Sequence, residues 1–417
     1  MLNKFKAKAL LLVCGFALTS SASHADDAPT GGDPRTRAFV LSGIVWESPG
    51  EGGKCEQMSE GGAQIFAKTL PASVQAQYAT PDKAQALWRL EAERLGYKHV
   101  IVGETNNVEK RAKLPEGFDL SAPMTPARAL EIAAYNGFPE GKGRATWSGK
   151  SIQYDSCTNP EDFQVLNKGL HLYTGTVAAG MNLDGKVSRS DYTGPDGTRG
   201  VDNQLWRAMG CVPTFMDEAD PKNAKETLLS AQAPTAIVVR NLDDSRNDPD
   251  VIVDVYGVRE PIVRDARGKV IRGHTFTPVA DRSLHASFKG RIEGGILTTE
   301  PGDLNVQVKE QIVDVHRSFR GARIRMTFKP DGTVEGGIYG YYTLASLWDY
   351  FAQRTQLSAD FTRYSCPALH HAFNRLADGY RDPATGRYTA ISSAFGFVGT
   401  HSFVAAPDKV SGASEAS

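Results

Sequence analysis

Three acidic, glycine-bearing segments hold most of the oxygen donors that could do chemistry in this chain. The first is Gly180-Met181-Asn182-Leu183-Asp184-Gly185, followed closely by Pro195-Asp196-Gly197-Thr198-Arg199-Gly200-Val201-Asp202-Asn203-Gln204. The second is Asn241-Leu242-Asp243-Asp244-Ser245-Arg246-Asn247-Asp248-Pro249-Asp250, and the third is Asp378-Gly379-Tyr380-Arg381-Asp382-Pro383-Ala384-Thr385-Gly386. Crowded carboxylate and amide oxygens suit Ca2+, a hard cation that takes about six to eight oxygens at roughly 2.4 Å. Asp184, Asp202, Asn203, Asp243 and Asp244 are the candidate ligands, with two loops sharing one ion. The Asn182-x-Asp184-Gly185 run is not an EF-hand, because the twelfth place counted from Asn182 holds Thr193 instead of an acid. Asp, Asn and Gly are also ordinary turn residues, and an Asx-turn needs no metal.

Other constellations are weaker. His370 and His371 follow Cys366 on an expected helix and invite a redox or metal reading, but neighbouring side chains on a helix diverge by about 100°. Trp206 and Trp348 have Asp residues nearby and suit either a sugar cleft or a core. Asp243 and Asp248 are the pair to consider for glycoside hydrolysis, although carboxylates in such a turn are solvated by default. No GxSxG, Walker-type loop or GxGxxG run occurs. The sequence therefore assigns no catalytic residue and leans away from an enzyme.

The amino terminus carries an address. Lys4, Lys6 and Lys8 precede the apolar run Ala9 to Leu18, and Ser23-His24-Ala25 supplies a small-x-small cleavage site, the three parts of a secretory signal. A spanning anchor needs about 20 apolar residues, roughly twice this run. Bulky Val13 before Cys14 does not suit lipidation. Cleavage near Ala25 leaves Cys55, Cys157, Cys211 and Cys366, an even number in a compartment where disulfides persist. Of the three pairings, Cys55 with Cys157 and Cys211 with Cys366 is favoured, because each then closes within one region. A metal or catalytic-thiol role lacks the CxxC spacing it needs.

Net charge is −1, without the basic footprint of a nucleic-acid binder. Hydrophobic residues make up 41 % and charged ones 23 %, enough for real cores, while 41 glycines and 22 prolines punctuate short β-branched runs. The expected organisation is a signal peptide at 1–25, a flexible leader at 26–37, a small α+β region at 38–160, a β domain at 161–405 and a disordered tail at 406–417. In the α+β region a strand is expected at 38–46, helices at 80–95 and 125–134, and a strand at 98–102. Beyond 161 the expected strands are 170–177, 236–239, 251–256, 283–292, 307–313, 320–328 and 333–341, with helices at 344–354 and 366–377. Polar and apolar side chains alternate with period two over Gly321 to Phe328, and Lys329-Pro330-Asp331-Gly332 reads as a hairpin connection. The fold class is mostly β with some α, an antiparallel β-sandwich or jelly-roll-like domain.

The strings NLDG, PDGTRGVDNQLWRAMGC, DDSRNDPDVIVDVY and RLADGYRDPATGRYTAIS resemble a group of exported proteins of Gram-negative bacteria. The resemblance covers about 160–405, implies export and one coherent domain there, and carries over no catalytic residue. The leading expectation is a non-catalytic periplasmic or secreted protein that binds a small ligand, glycan or protein partner, with Ca2+ fixing its Asp-rich loops. The alternatives are a secreted glycoside hydrolase using loop carboxylates and an accessory subunit of an exported redox or metal system. Neither nucleic acid nor a transmembrane segment enters any of these readings.

Overall fold

The computed structural model describes residues 33–47, 167–219, 233–309, 313–353 and 363–405, with shorter pieces between 55 and 162. The signal segment 1–25, the tail 406–417 and the elements expected at 80–95, 98–102 and 125–134 lie outside the described residues. In chain order the strands are β1 (Arg37–Trp46), β2 (Gly143–Trp147), β3 (Lys150–Tyr154), β4 (Tyr192–Thr193), β5 (Arg199–Val201), β6 (Thr235–Arg240), β7 (Asp248–Gly257) and β8 (Thr275–Phe276). They continue with β9 (His285–Glu293), β10 (Ile296–Thr299), β11 (Gly302–Lys309), β12 (Asp314–Phe328), β13 (Thr333–Thr343), β14 (Gly379–Arg381) and β15 (Tyr388–Val404). The expected helices appear as Leu344–Gln353 and Cys366–Leu376. No strand forms at 170–177, where only Val177 bridges to Thr193.

The protein is mostly β, with an 11-stranded sheet that is antiparallel apart from the short β8–β15 pairing. Its neighbours run β1-β6-β7-β9-β10-β12-β13-β15, and β15 pairs back onto β1, with Ala38 opposite Ser402 and Trp46 opposite Phe395. Eight strands, each paired with the next along this path, thus close an up-and-down barrel. β11 extends the line of β10 along β12. Alternation fills the interior: Phe39 and Leu41, Val251, Val253 and Val255, Ile338 and Tyr342, and Phe395 and Phe397 all join one buried cluster. On β12 the inward residues are Val315, Arg317 and Phe319, and then Ala322, Ile324 and Met326. The parity changes at Gly321, where a β-bulge shifts the register and φ is +56°. Arg317 is 5 % exposed and packs against Trp46, Tyr350 and Phe395, while its Nη1 donates to the Ile44 carbonyl at 3.0 Å. Aromatic faces stabilise such a cation in the core.

Composition places β1 in a separate α+β region at 38–160. In the structure it is paired on both sides, with β6 and with β15, by strands of the carboxy-terminal part. The favoured disulfide pairing is corrected for the same reason. The bridges are Cys55–Cys211 and Cys157–Cys366, so each ties the first part of the chain to the second. Residues 55–61 lie against 169–171 and 211: the Ser59 N–H donates to the Cys211 carbonyl at 2.8 Å and the Glu60 N–H to that of Gly169 at 2.8 Å. The chain-entropy model assigns cross-links over such long separations about 5 kcal/mol each as an upper figure. Among the described residues, no helix is long and apolar enough to cross a membrane.

Candidate functional site

The bulge at Gly321 leaves Arg320, Arg323 and Arg325 on the outer face of β12. Across the register, Arg323 is opposite Tyr339 of β13, which is in turn opposite Ala394 of β15, and Tyr341 is opposite Ser392. Tyr339 and Tyr341 share one face because strand side chains repeat every two residues. The loop 180–204 lies over this face. Leu183 packs on Tyr339 and Ala394, Arg323 Nη1 donates to the Asn182 carbonyl at 3.0 Å, and Arg325 pairs with Asp196 at 3.6 Å.

Carboxyl groups line the space between loop and sheet. Asp202 Oδ2 accepts the Leu183 N–H at 2.7 Å and the Asp184 N–H at 3.4 Å. Burial pushes its carboxyl up to about 6; the two N–H groups oppose this, while the charges of Asp184 and Asp191 add to it. Asp378 accepts from the Ser392 N–H and hydroxyl, both at 2.7 Å, and Ser392 Oγ accepts the Gln204 N–H at 2.9 Å. Burial, outweighing those bonds from Ser392 and joined by the Asp184 charge, raises the Asp378 carboxyl to about 6. Glu47 hydrogen-bonds to Tyr339; burial raises it to about 7 against that bond and the Arg325 charge. The phenols of Tyr339 and Tyr341 are pushed up by burial first and then by these same carboxylates.

Next to this polar seam the β14–β15 hairpin presents two tyrosines to solvent. Tyr380 is 38 % exposed and Tyr388 37 %. The Arg320 guanidinium carbon lies 4.0 Å from the Tyr380 ring centroid, and Tyr341 meets the same ring edge-on at 5.5 Å. Arg381 lies 4.2 Å from the Tyr388 centroid and its Nη2 donates to the Tyr388 hydroxyl at 3.1 Å. Tyr380 has φ of +52°, a left-handed conformation that costs a bulky residue on the order of 1 kcal/mol or more. Its carbonyl is held by the Thr389 hydroxyl at 2.7 Å. A Cβ at Gly321 would come within 2.7 Å of the Tyr380 hydroxyl, so the glycine at the bulge also clears room for this ring.

The five expected Ca2+ ligands divide between two places. Asp184, Asp202 and Asn203 belong to the loop over the sheet, whereas Asp243 and Asp244 lie on the β6–β7 turn, whose Leu242 N–H donates to the Arg35 carbonyl. Asp202 is occupied by backbone N–H groups. Asn203 caps the helix Gln204–Met209, accepting the Trp206 N–H at 3.0 Å and donating to the Ala179 carbonyl at 2.8 Å. Asp243 and Asp244 give their N–H groups to Asp248, which also accepts from Asp250. Burial pushes the Asp248 carboxyl up, but those three donors outweigh it and hold it below the ordinary range. The Asp243–Asp248 pair is therefore a turn clasp, with Asp243 directed to solvent and 70 % exposed. Among the described residues, no group of three or more His, Cys, Asp or Glu side chains is arranged to hold a metal ion.

Trp206 is a core residue, and Trp348 packs partly buried against the same core. His370 rests against Trp348 at 4.6 Å and burial lowers its pKa, while His371 is exposed and Cys366 is in a disulfide. Sequence reasoning missed Glu47, Arg320, Tyr339, Tyr341, Tyr380 and Tyr388. The one signal was the Asp378-Gly379-Tyr380 segment, read for its acids when its tyrosine is what reaches solvent. No family model, curated protein or solved structure matches this chain.

Proposed function

We propose that this is an exported, non-catalytic binding protein whose ligand is a glycan, held on Tyr380 and Tyr388 at the edge of the barrel. The observation that carries the reading is Tyr380 itself, exposed and in a left-handed backbone conformation while Arg320 and Tyr341 brace its ring. Strained residues persist where the surroundings over-determine them, and ligand clamps are among those places. Tyr rings give amphipathic contact area at little entropic cost, and bracing in advance removes part of the ordering cost of binding. A sugar presents C–H faces to such rings and hydroxyls to arginines and carboxyls, and Arg320, Arg381 and Asp378 lie beside them. Two disulfides accord with an oxidising compartment.

The test is titration calorimetry of a panel of neutral and uronic-acid oligosaccharides against the wild type, Tyr380→Ala and Tyr388→Ala. Binding by the wild type, weakened about tenfold or more in each variant, is the expected result, as an aromatic hot spot loses about 2 kcal/mol. Equal affinity in all three proteins rules out this surface.

The hydrolase alternative has one observation in its favour. Asp202 and Asp378 are both raised to about 6, and both bear on Tyr341. Raised carboxyls suit general acid catalysis. Reducing-end release from the same panel, abolished by Asp378→Asn, would replace the binding reading with that one.

A further inference from the structure

The segment between β7 and β8 folds as a second hairpin, packed on the outside of the barrel. The Ile271 N–H donates to the Val263 carbonyl at 2.9 Å, Asp265 N–H to Lys269 at 2.8 Å and Gly268 N–H to Asp265 at 2.9 Å. The Asp265 carboxylate takes the N–H groups of Arg267 and Lys269, each at 2.9 Å, and so closes the tip. Ile262 and Val270 pack against the cluster of Val40, Ala236, Val258 and Phe276. Their neighbours Val263 and Ile271 face the other way and are 39 % and 42 % exposed. Attaching the hairpin to the barrel leaves this second apolar pair without use.

Arg267 and Lys269 stand at the hairpin tip beyond that pair, while Arg264 donates to the Gly268 carbonyl and the Arg272 guanidinium lies against Gly332 of the β12–β13 turn. Residues 259–272 contain Arg259, Arg264, Arg267, Lys269 and Arg272 against Glu260 and Asp265, in a chain whose net charge is −1. Asp265 is committed to the tip, and Glu260 accepts the Thr277 N–H. Among the described residues, Arg259, Arg267, Lys269 and Arg272 form no ion pair within 4.0 Å, although Glu260 feels the Arg259 charge and Asp331 on the β12–β13 turn feels that of Arg272.

We infer that this hairpin seats the protein on an anionic phospholipid surface, with Val263 and Ile271 in the headgroup region and the tip cations Arg267 and Lys269 over lipid phosphates. Two aliphatic side chains bury too little to anchor a protein alone, and a few cations alone are screened by salt; combined, they give reversible attachment. Isolated aliphatic residues suit a fluid interface better than a protein partner, which calls for about 1,000 Å² or more of complementary surface and aromatic anchors. β8 joins the hairpin to the end of β15 at Phe403 and Val404, whereas Tyr388 starts that strand. The lipid-facing hairpin and Tyr388 therefore mark opposite ends of β15, and a protein held by one end leaves the other clear. The inference does not depend on the glycan reading.

Co-sedimentation with vesicles of phosphatidylglycerol and phosphatidylcholine, compared with phosphatidylcholine alone, tests it. The wild-type chain sediments with the anionic vesicles only, and less as salt is raised. Arg267→Gln with Lys269→Gln weakens partitioning about 30-fold, at roughly one lipid-facing cation's worth each. Val263→Ser with Ile271→Ser, both at exposed positions, also weakens it. Three results overturn the inference: no sedimentation with anionic vesicles; partitioning unchanged in the serine variant, which makes the hairpin a plain polyanion binder; or hairpin-dependent binding to soluble polyglutamate without vesicle binding, which points to an acidic protein.

Discussion

Asp248 and Asp202 are both nearly closed to solvent, at 5 % and 6 % exposure, but far more of the protein surrounds Asp202, and their carboxyls shift in opposite directions. Burial pushes both up. Asp248 is clasped by three N–H donors of its own turn, and these win. Asp202 has two donors, one of them at 3.4 Å, and faces the Asp184 and Asp191 charges in the same loop. A turn that folds around one acid stabilises its charge; a loop that presses several acids against a sheet favours their protons. The first is a structural clasp, and the second is a set of carboxyls that hold their protons up to about pH 6.

The sign of each shift sets its pH dependence. Asp202 and Asp378, raised from 3.8 to about 6, contribute stability that is complete below the lower value and lost as pH rises through the higher. Glu47 acts likewise between 4.5 and about 7. Asp248 contributes stability above its ordinary value and loses it as pH falls through its depressed one.

The largest expected effect comes from neutralising the loop acids. Asp202→Asn combined with Asp378→Asn is expected to stabilise the protein at pH 8 by up to about 3 kcal/mol per site, less at Asp202 where solvent screens the charge, and to change little near pH 4, measured by denaturant unfolding at both. Destabilisation at pH 8 would break the contrast, since the carboxylates would then be held as Asp248 is. Next, Asp248→Ala is expected to cost about 2 kcal/mol at neutral pH by releasing three turn N–H groups, with the loss shrinking in acid; thermal melts across pH check it. The smallest effect sharpens the cause. Asp184→Asn is expected to lower the titration midpoints of Asp202 and Asp378 together, followed by carboxyl carbon NMR, and leave Asp248 unmoved. A shift in neither loop acid would leave burial as the whole cause.

Local patterns were legible in the chain. Period-two alternation marks the outer and inner faces of β12 after Gly321, the Lys329 to Gly332 turn joins β12 to β13, and the two carboxy-terminal helices fall within a residue of their expected spans. Ordinary turn chemistry also accounts for the acidic run at 241–250. The grouping of acids around Tyr341 was not legible, because it joins Asp184 and Asp202 to Asp378 across the sheet.

The sequence by itself determined a mostly β, antiparallel body, its main turns and helices, and an even set of cysteines beyond a signal-like amino terminus. The elements and turns among these follow from residues close together in sequence, and the cysteines from a count along the chain. Tertiary structure alone decided that the sheet closes, since alternation looks the same in a sandwich and a barrel and only the β1–β15 pairing distinguishes them. It also decided which cysteines meet and that Arg320 and Tyr341 brace Tyr380. These depend on contacts between distant stretches, where side-chain type sets what a contact is worth and only the path of the backbone sets whether it is made.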